Sequence, residues 1–359
     1  MPALASGFTL PGLGWDGGRA ADFTAHSDSG RLAGRVARVD KSACTVLTEQ
    51  GELRVEYGDE VPCVGDWVAV RLGAPGTDPR LDAVLPRRTA IVRGGVGRGS
   101  RSGLSGDSSG HVLAANVDVV YIAEPAAPEC DLGRIERLLA LAWESGAQPV
   151  VLITKADLAT ALPELLDAVT AAAPGADVHP VSSLEGTGLE PVRLPAGRTA
   201  VLLGPSGAGK STLVNALAGA PVMDTQQVRA ADGRGRHTTT HRELHVLDGG
   251  GLVIDTPGLR RIGLTDDAAE GLAQTFADIE ELAADCRFAD CAHDAEPGCA
   301  VLAAVESGDL PERRLVSWHK LRREAAWMAG RGDARLRAEQ TRKWKVIHKE
   351  MRRTGRNRP

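Results

Sequence analysis

Residues 204–212 read Gly204-Pro205-Ser206-Gly207-Ala208-Gly209-Lys210-Ser211-Thr212 and match the phosphate-loop pattern G-x-x-x-x-G-K-[ST] at every position. The apolar run TAVLL precedes this loop, and the helix-forming run STLVNALAG begins inside it. Glycines at such a strand-to-helix turn let backbone N–H groups face phosphate, and the helix start adds free donors. The pattern predicts that Lys210 contacts the β- and γ-phosphates and that Ser211 binds Mg²⁺. A chance glycine-rich turn is the alternative.

A second phosphate-side motif, Asp255-Thr256-Pro257-Gly258, ends the apolar run GLVI 45 residues beyond Lys210. This spacing is typical of P-loop GTPases. We expect Asp255 to hold Mg²⁺ through water and the Gly258 N–H to sense the γ-phosphate. The D-x-x-G pattern is weak alone, but its place behind a phosphate loop and at a strand end favours this function.

A third motif, Thr154-Lys155-Ala156-Asp157, follows the apolar run VVLI and resembles the guanine-reading sequence N-K-x-D. A carboxylate at Asp157 would accept hydrogen bonds from guanine N1–H and the 2-amino group, and adenine cannot supply both. Lys155 would lie along the base and brace the phosphate loop. Thr154 replaces the usual Asn, which leaves one base contact open. Ser182-Ser183-Leu184, after the run DVHPV, resembles the S-A-K loop that completes base recognition.

The order of these motifs is inverted. Ordinary GTPases carry the phosphate loop and D-x-x-G before the base-reading motifs, whereas here residues 154–157 and 182–184 come first and 204–258 follow. Cutting the usual chain elsewhere and joining its old ends would preserve the sheet and the site. The sequence therefore predicts a circularly permuted α/β P-loop GTPase domain whose D-x-x-G switch runs directly into the C-terminal region.

The segment Arg234-Gly235-Arg236-His237-Thr238-Thr239-Thr240 lies between the two phosphate-side motifs. Switch I of GTPases supplies a Thr whose hydroxyl binds Mg²⁺ and whose backbone contacts the γ-phosphate. We assign that function to Thr239. Many GTPases place a water-orienting Gln after D-x-x-G, but this chain has Leu259. Catalysis therefore needs another group, and His237 is the nearest candidate. The alternative is that His237 is structural or faces RNA.

Three of the six cysteines fall within 14 residues, in the pattern Cys286-x4-Cys291-x-His293-x5-Cys299. Three thiolates and one imidazole fill a tetrahedral Zn²⁺ shell with no open position, so we predict one structural zinc ion. Clustering in a chain without an export signal favours a metal over disulfides. Unrelated surface thiols are the alternative.

Short alternating strands in residues 31–92 predict a small barrel of the oligonucleotide/oligosaccharide-binding (OB) type, with an SH3-like barrel nearly as compatible. Strands and helices alternate from residue 116, which indicates a mostly parallel sheet. Residues 266–284 and 311–350 have a helical pattern. Residues 93–110 are rich in Gly, Ser and Arg and predict a linker, whose arginines could touch phosphate.

Charge is distributed unevenly along the chain. Residues 311–359 hold 16 Lys and Arg against 5 Asp and Glu, a net charge of +11 in a protein of net charge −5. This basic segment suggests a polyanionic partner, although a solvated helical tail is the alternative. No apolar stretch approaches the roughly 18 to 20 residues that span a membrane, and the N-terminus lacks a secretory pattern. We therefore expect a cytoplasmic protein without a membrane partner.

Taken together, the chain resembles the ribosome small-subunit-dependent GTPase A family of bacteria over about residues 30–350. The permuted motif order, GPSGAGKST, GRGRHTTT, DTPGLR and CRFADCAHDAEPGC carry the resemblance. It implies an OB-like barrel, a permuted G domain that uses Mg²⁺ with GTP, and a mostly α-helical zinc-binding domain. It also implies a monomer that binds GTP and GDP, contacts the 30S ribosomal subunit and its 16S rRNA, and acts in 30S maturation. The boundaries we expect are 1–29 for an N-terminal extension, 30–97 for the barrel, 98–110 for a flexible linker, 111–265 for the G domain and 266–359 for the zinc-binding domain with its basic tail.

Two other functions stay open at this stage. The first is a regulatory or metabolic P-loop enzyme that uses ATP. Asp157 argues against it, because adenine does not supply the two hydrogen bonds that this carboxylate would accept from guanine. A non-catalytic RNA-binding protein that uses GTP only to hold its shape is permitted by Leu259. Nucleotide selectivity separates the first from a GTPase, and stimulation by 30S subunits separates the second.

Overall fold

The computed structural model describes residues 8–74, 76–93, 111–223, 242–255, 264 and 268–332. These residues belong to two compact units, which are described separately. The first contains the described residues up to 92 and those from 112 to 255, and the second contains residues 93, 111, 264 and 268–332. No described helix is long and apolar enough to cross a membrane.

The first unit begins with a closed barrel. Its strands are β1 (Leu32–Val39), β2 (Ala43–Thr48), β3 (Gly51–Glu56), β4 (Trp67–Arg71) and β5 (Arg80–Val84). Their order is β1-β2-β3-β5-β4, β4 returns to pair with β1, and β3 and β5 run parallel. The centre is filled by valines and a cysteine that are fully buried. This Greek-key order confirms the OB-like barrel and not the SH3-like alternative.

The sequence AVLPRRTAIVR, residues 83–93, alternates apolar and polar positions and predicts one strand, but that prediction was wrong in its extent. The structure ends β5 at Val84 and begins a separate strand, β6 (Ala90–Arg93), which pairs with β7 (His111–Ala115) in a two-stranded sheet. Pro86 lies between the two strands and has no N–H to donate to a ladder. Arg87 and Arg88 then turn back to bind Asp66 and Asp16.

The rest of the first unit is a sheet covered by helices. The strands are β8 (Val119–Pro125), β9 (Gln148–Thr154), β10 (Asp177–Val181), β11 (Thr199–Leu203), β12 (Glu243–Val246) and β13 (Leu252–Asp255). The helices are α2 (Leu132–Glu144), α3 (Leu162–Ala172) and α4 (Lys210–Ala218). The order is β10-β9-β8-β11-β13-β12, parallel except for β12. This confirms the predicted α/β domain.

The barrel and this sheet are continuous. Strand β12 pairs antiparallel with β1 through Arg38 and Glu243, so eleven described strands form one sheet. Strand β12 directly follows the segment in which the sequence places switch I. The described chain after that segment is paired to the barrel at Glu243.

An N-terminal segment, whose function the sequence did not reveal, packs against both parts of this unit. It contains a 3-10 turn, Pro11–Leu13, and helix α1 (Gly17–Ser27), which Asp16 caps by accepting from Arg19 N. Trp15 meets Trp67 of the barrel edge-to-face, with ring centroids 4.8 Å apart. The buried Arg19 donates to the Pro86 carbonyl and to Asn116 Oδ1.

A second buried arginine, Arg35 of β1, joins the same region. It donates to the carbonyls of Leu13, Gly65 and Asn116, and its guanidinium lies 5.4 Å from the centroid of Trp67. Burial lowers the pKa of Arg35 to about 10, which still leaves it charged at neutral pH. Because a buried charge is tolerated only when its donors are satisfied, these carbonyls fix the N-terminal segment, the barrel and the start of β8 together.

The second unit is helical. Its helices are α5 (Ala269–Thr275), α6 (Ala277–Ala283), α7 (Ala300–Ser307) and α8 (Glu312–Gly332). The predicted helical segment 266–284 is thus two helices that break at Phe276, and α7 was not predicted. The buried Arg314 of α8 forms a bidentate pair with Asp278 and stacks on Phe276. Residues 333–350 of the other predicted helical segment lie outside the described residues.

Candidate nucleotide site and metal centre

The predicted nucleotide motifs converge on one edge of the sheet. The phosphate loop follows β11, Asp255 is the last residue of β13, Thr154 is the last residue of β9, and Ser182 follows β10. These strands are parallel neighbours with β8 between β9 and β11, so their carboxyl ends share an edge. In open α/β sheets, ligands bind at that edge.

The phosphate loop depends on glycine. Gly204 has a φ of +145°, and a Cβ placed there would lie 2.1 Å from the Ala123 carbonyl oxygen of β8. Gly207 and Gly209 also have positive φ angles, of +81° and +80°. Lys210 begins α4, and its Nζ donates to the carbonyls of Gly204 and Pro205 at 3.0 and 2.8 Å. The lysine ammonium thus sits over the loop that would cradle the phosphates.

The base-reading segment is tied to the phosphate loop. Thr154 Oγ1 donates to the Ala208 carbonyl at 2.7 Å, and both residues are buried. Lys155 adopts the left-handed conformation with a φ of +55°, and a 3-10 turn, Ala156–Leu158, follows it. That turn carries Asp157 with its side chain exposed. The Thr154 end of this segment is therefore fixed to the loop that is predicted to bind phosphate.

The Ser182 loop is a tight hairpin. Ser182 and Thr187 exchange backbone hydrogen bonds of 3.0 and 3.1 Å, and Ser182 Oγ accepts from Glu185 N at 3.3 Å. Gly188 has a φ of +71°, and a Cβ there would lie 2.0 Å from the Pro180 carbonyl oxygen. Leu184 at the tip is 84% exposed. The loop is thus a pre-formed wall at the end of β10.

Only some of the predicted magnesium-binding and switch residues belong to the described part of the chain. Ser211 lies in the first turn of α4, and Asp255 ends β13 beside β11, so two predicted Mg²⁺ ligands are at the same edge. Thr212 follows Ser211 in that turn. The predicted residues His237, Thr239 and Gly258, as well as Leu259, lie outside the described residues.

The sequence did not reveal an ion pair at this edge between a buried carboxylate and a partly exposed arginine. Glu124, near the end of β8, is fully buried and accepts from Arg134 Nε and Nη2 at 2.8 and 2.7 Å and from Asp131 N at 3.0 Å. The pair fixes the turn that leads from β8 into α2. Its only signal in the sequence is a lone Glu at the end of an otherwise apolar strand.

The second unit brings the four predicted metal ligands together. Cys286 Sγ lies 3.8 Å from Cys299 Sγ and 3.6 Å from His293 Nδ1, and that nitrogen lies 3.3 Å from Cys299 Sγ. All four ligand atoms, including that of Cys291, are within 4.8 Å of one another. Bonds of about 2.3 Å to sulfur and 2.0 Å to nitrogen give a tetrahedron with edges of about 3.5 to 3.8 Å. The cluster therefore fits a four-coordinate metal ion.

The loop that carries two ligands is organised by Glu296. Its carboxylate accepts from the backbone N–H groups of Ala292, Asp294 and Ala295 at 2.9 to 3.1 Å, and these bonds lower the pKa of Glu296 to about 2. His293 adopts a positive φ of +61°. Burial lowers the pKa of the His293 imidazole and so favours the neutral form that a metal requires.

This chain is similar in sequence to known GTPases, in agreement with the nucleotide motifs that meet at the sheet edge. The model of the RsgA GTPase family matches residues 84–265. The small ribosomal subunit biogenesis GTPase RsgA of Streptomyces avermitilis is 53% identical over 95% of this chain and 92% of that protein. Its namesake from Streptomyces coelicolor is 52% identical over 96% of this chain and 93% of that protein.

The chain belongs to the RsgA GTPase family. Hydrolysis of GTP is accordingly its activity, which confirms the prediction made from the motifs. The solved structure of YloQ, described as a circularly permuted GTPase, shares the fold of this RsgA-family chain. The two align with a TM-score of 0.57 and 24% identity, over 82% of this chain and 95% of that one. The order of the nucleotide motifs along this chain agrees with that shared fold.

Proposed function

We propose that the chain hydrolyses GTP during late maturation of the small (30S) ribosomal subunit, that the subunit stimulates hydrolysis, and that nucleotide state is coupled to rRNA binding. Support comes from the relatives named for small-subunit biogenesis and from four nucleotide motifs that meet at one sheet edge. A cytoplasmic monomer that binds the 30S subunit through its 16S rRNA is the form we infer.

In this proposal each motif has one function. Asp157 reads guanine, Lys155 and the Ser182 loop complete the base site, and Lys210 with the phosphate loop holds the β- and γ-phosphates. Magnesium, when bound, neutralises phosphate charge, and Ser211, Thr239 and Asp255 would hold it. The bond from Thr154 to Ala208 supports this assignment because it links the base-reading and phosphate-binding segments.

The deciding experiment is a pull-down of ribosomal particles. Bound to a non-hydrolysable GTP analogue, the protein should retain 30S particles, and with GDP it should release them. Parallel hydrolysis assays with GTP and ATP test the ATP-using alternative. A protein that binds 30S particles but hydrolyses GTP no faster in their presence would contradict the proposed stimulation by the subunit.

We expect His237→Ala to retain GTP and 30S binding but to lose about 10²-fold of the stimulated hydrolysis rate, the order contributed by general acid–base groups. Leu259 cannot orient water, so the missing function must come from switch I or from the partner. Single-turnover hydrolysis with saturating 30S subunits measures the effect.

His241→Ala is the matched control, since it removes a second histidine from the same stretch. It should leave the stimulated rate within about twofold of the original, well below the roughly 10²-fold effect expected of an acid–base group. If His237→Ala turns over near the wild-type rate, His237 is rejected, and the group comes from rRNA or a ribosomal protein.

The described helix α8 carries a candidate rRNA-binding face. Five exposed residues recur at spacings of three and four, so they share one face. They are Arg313, Val316, Lys320, Arg323 and Trp327. Val316 and Trp327 are 57% and 55% exposed. Three cations in line with an aromatic ring suit a nucleic acid, with its phosphates against the cations and a base against the ring.

We expect the triple variant R313Q/K320Q/R323Q to weaken 30S binding and to reduce the slope of log K against log salt by about 2 to 3, because each lost phosphate contact removes nearly one released counterion. Deleting residues 311–359 would be a poorer test, since Leu315, Trp318 and Leu321 of α8 are buried. Binding measured across a salt series gives the slope.

The charge-retaining variant R313K/K320R/R323K is its control and should keep the wild-type slope. If the neutral triple variant binds 30S subunits with an unchanged slope while its unfolding temperature is also unchanged, this face of α8 is not the site. The rRNA contact would then move to the barrel or to residues 93–110.

A further inference from the structure

Thr154 has one hydroxyl proton, and in the structure this proton is used in a hydrogen bond to the Ala208 carbonyl. The hydroxyl oxygen is 2.7 Å from the Ala208 carbonyl oxygen, and a carbonyl can only accept. The two residues are 1% and 0% exposed, so water does not compete for this bond. Toward any bound base, the Thr154 hydroxyl therefore offers lone pairs and no donor.

Guanine presents acceptors along the edge that carries O6 and N7. A hydroxyl with a committed proton cannot bond to either acceptor. An asparagine at the same position has two amide protons. One could satisfy the Ala208 carbonyl, and the other would remain for the base.

We propose that this chain recognises guanine without a hydrogen bond to N7, and that Thr154 instead fixes the base-reading segment to the phosphate loop. This inference rests on the proposed function, in which residues 154–157 face the base. Specificity then depends on the opposite edge of guanine, where Asp157 accepts from N1–H and the 2-amino group. Thr154 is accordingly a positioning residue.

The probe is 7-deaza-GDP, in which a C–H group replaces N7. We expect wild-type protein to bind GDP and 7-deaza-GDP within about twofold of each other, because no N7 bond is lost. Thr154→Asn adds a donor and should give about fivefold preference for GDP, the effect of one net hydrogen bond. Isothermal titration with both nucleotides gives the two ratios.

Two further variants separate positioning from base contact. Thr154→Ser keeps the hydroxyl and should bind GDP within about twofold of wild type. Thr154→Val leaves the Ala208 carbonyl unpaired and should weaken GDP and 7-deaza-GDP by the same factor, about tenfold, the cost of an unsatisfied buried acceptor. Unequal weakening would contradict the assignment.

A wild-type protein that binds 7-deaza-GDP tenfold more weakly than GDP would overturn the inference, since another group would then donate to N7. Thr154→Asn without any preference would also overturn it, because residue 154 would not reach the base. Failure of the proposed function gives a different result. In that case wild-type protein would bind ADP as tightly as GDP, whatever the 7-deaza ratio.

Discussion

Replacement of Cys291 by Ser is expected to release zinc and to unfold the helices of the second unit. Cys286 lies three residues after the end of α6, Cys291 and His293 follow in the loop, and Cys299 directly precedes α7, so a bound ion would join the two helices across that loop. Structural zinc contributes about 10 to 16 kcal/mol in zinc-finger peptides, which is as large as the stability of a typical domain. Metal content and helical circular dichroism measure the two losses.

Cys130→Ser is the matched control, because Cys130 is also partly exposed but belongs to the first unit. It should retain one zinc ion per chain and the wild-type unfolding temperature. A chelator should reproduce the Cys291→Ser result in wild-type protein. If wild-type protein lacks zinc and yet shows the full helical signal and cooperative unfolding, the structural zinc site is refuted.

The features that the sequence predicted depend on the positions of residues that are close together along the chain. The phosphate loop, residues 154–157 and Ser182 each end a strand, and a parallel sheet places such ends on one edge. The four metal ligands lie within a short stretch of chain. Both arrangements follow from spacing along the chain and from the ligand preferences of phosphate, guanine and zinc.

The parts that the sequence did not predict depend on contacts between distant residues. Arg19 meets Asn116, which is 97 positions away, and Arg35 meets the same residue across 81 positions. The spacing of apolar residues along the chain does not identify these residues as buried, because charged and amide side chains usually face water. The function of the N-terminal segment could therefore not be predicted, although the segment joins the barrel to the start of β8.

Glu296 and helix α7 illustrate a second limit. Glu296 is a partly exposed residue whose importance comes from three backbone N–H groups that donate to its carboxylate. Helix α7 starts at Ala300 with Cys299 as its cap, where the sulfur accepts from Leu302 N at 3.4 Å. A cysteine is not a usual capping residue, so the helix start could not be recognised beside a metal-ligand pattern.

The Asp157→Asn variant is expected to bind GDP about 10²- to 10³-fold more weakly. Asp157 lies in the 3-10 turn Ala156–Leu158. In this turn the Leu158 N–H donates to the Lys155 carbonyl at 2.9 Å, and the Ala159 N–H donates to the Ala156 carbonyl at 3.1 Å. Two charge-assisted bonds to guanine contribute at least about 3 kcal/mol together. The amide keeps one acceptor and turns a donor toward the 2-amino group. Fluorescence titration with labelled GDP measures the loss.

The same variant should gain affinity for xanthosine diphosphate, because xanthine carries an oxygen where guanine carries the 2-amino group and the new amide can donate to it. A general collapse of the site would weaken both nucleotides, so the reversal of preference separates base reading from folding. Asp167→Asn on the exposed side of α3 is the matched control and should bind GDP like wild type. Unchanged GDP affinity in Asp157→Asn would reject the assignment of residues 154–157 as the guanine-reading segment.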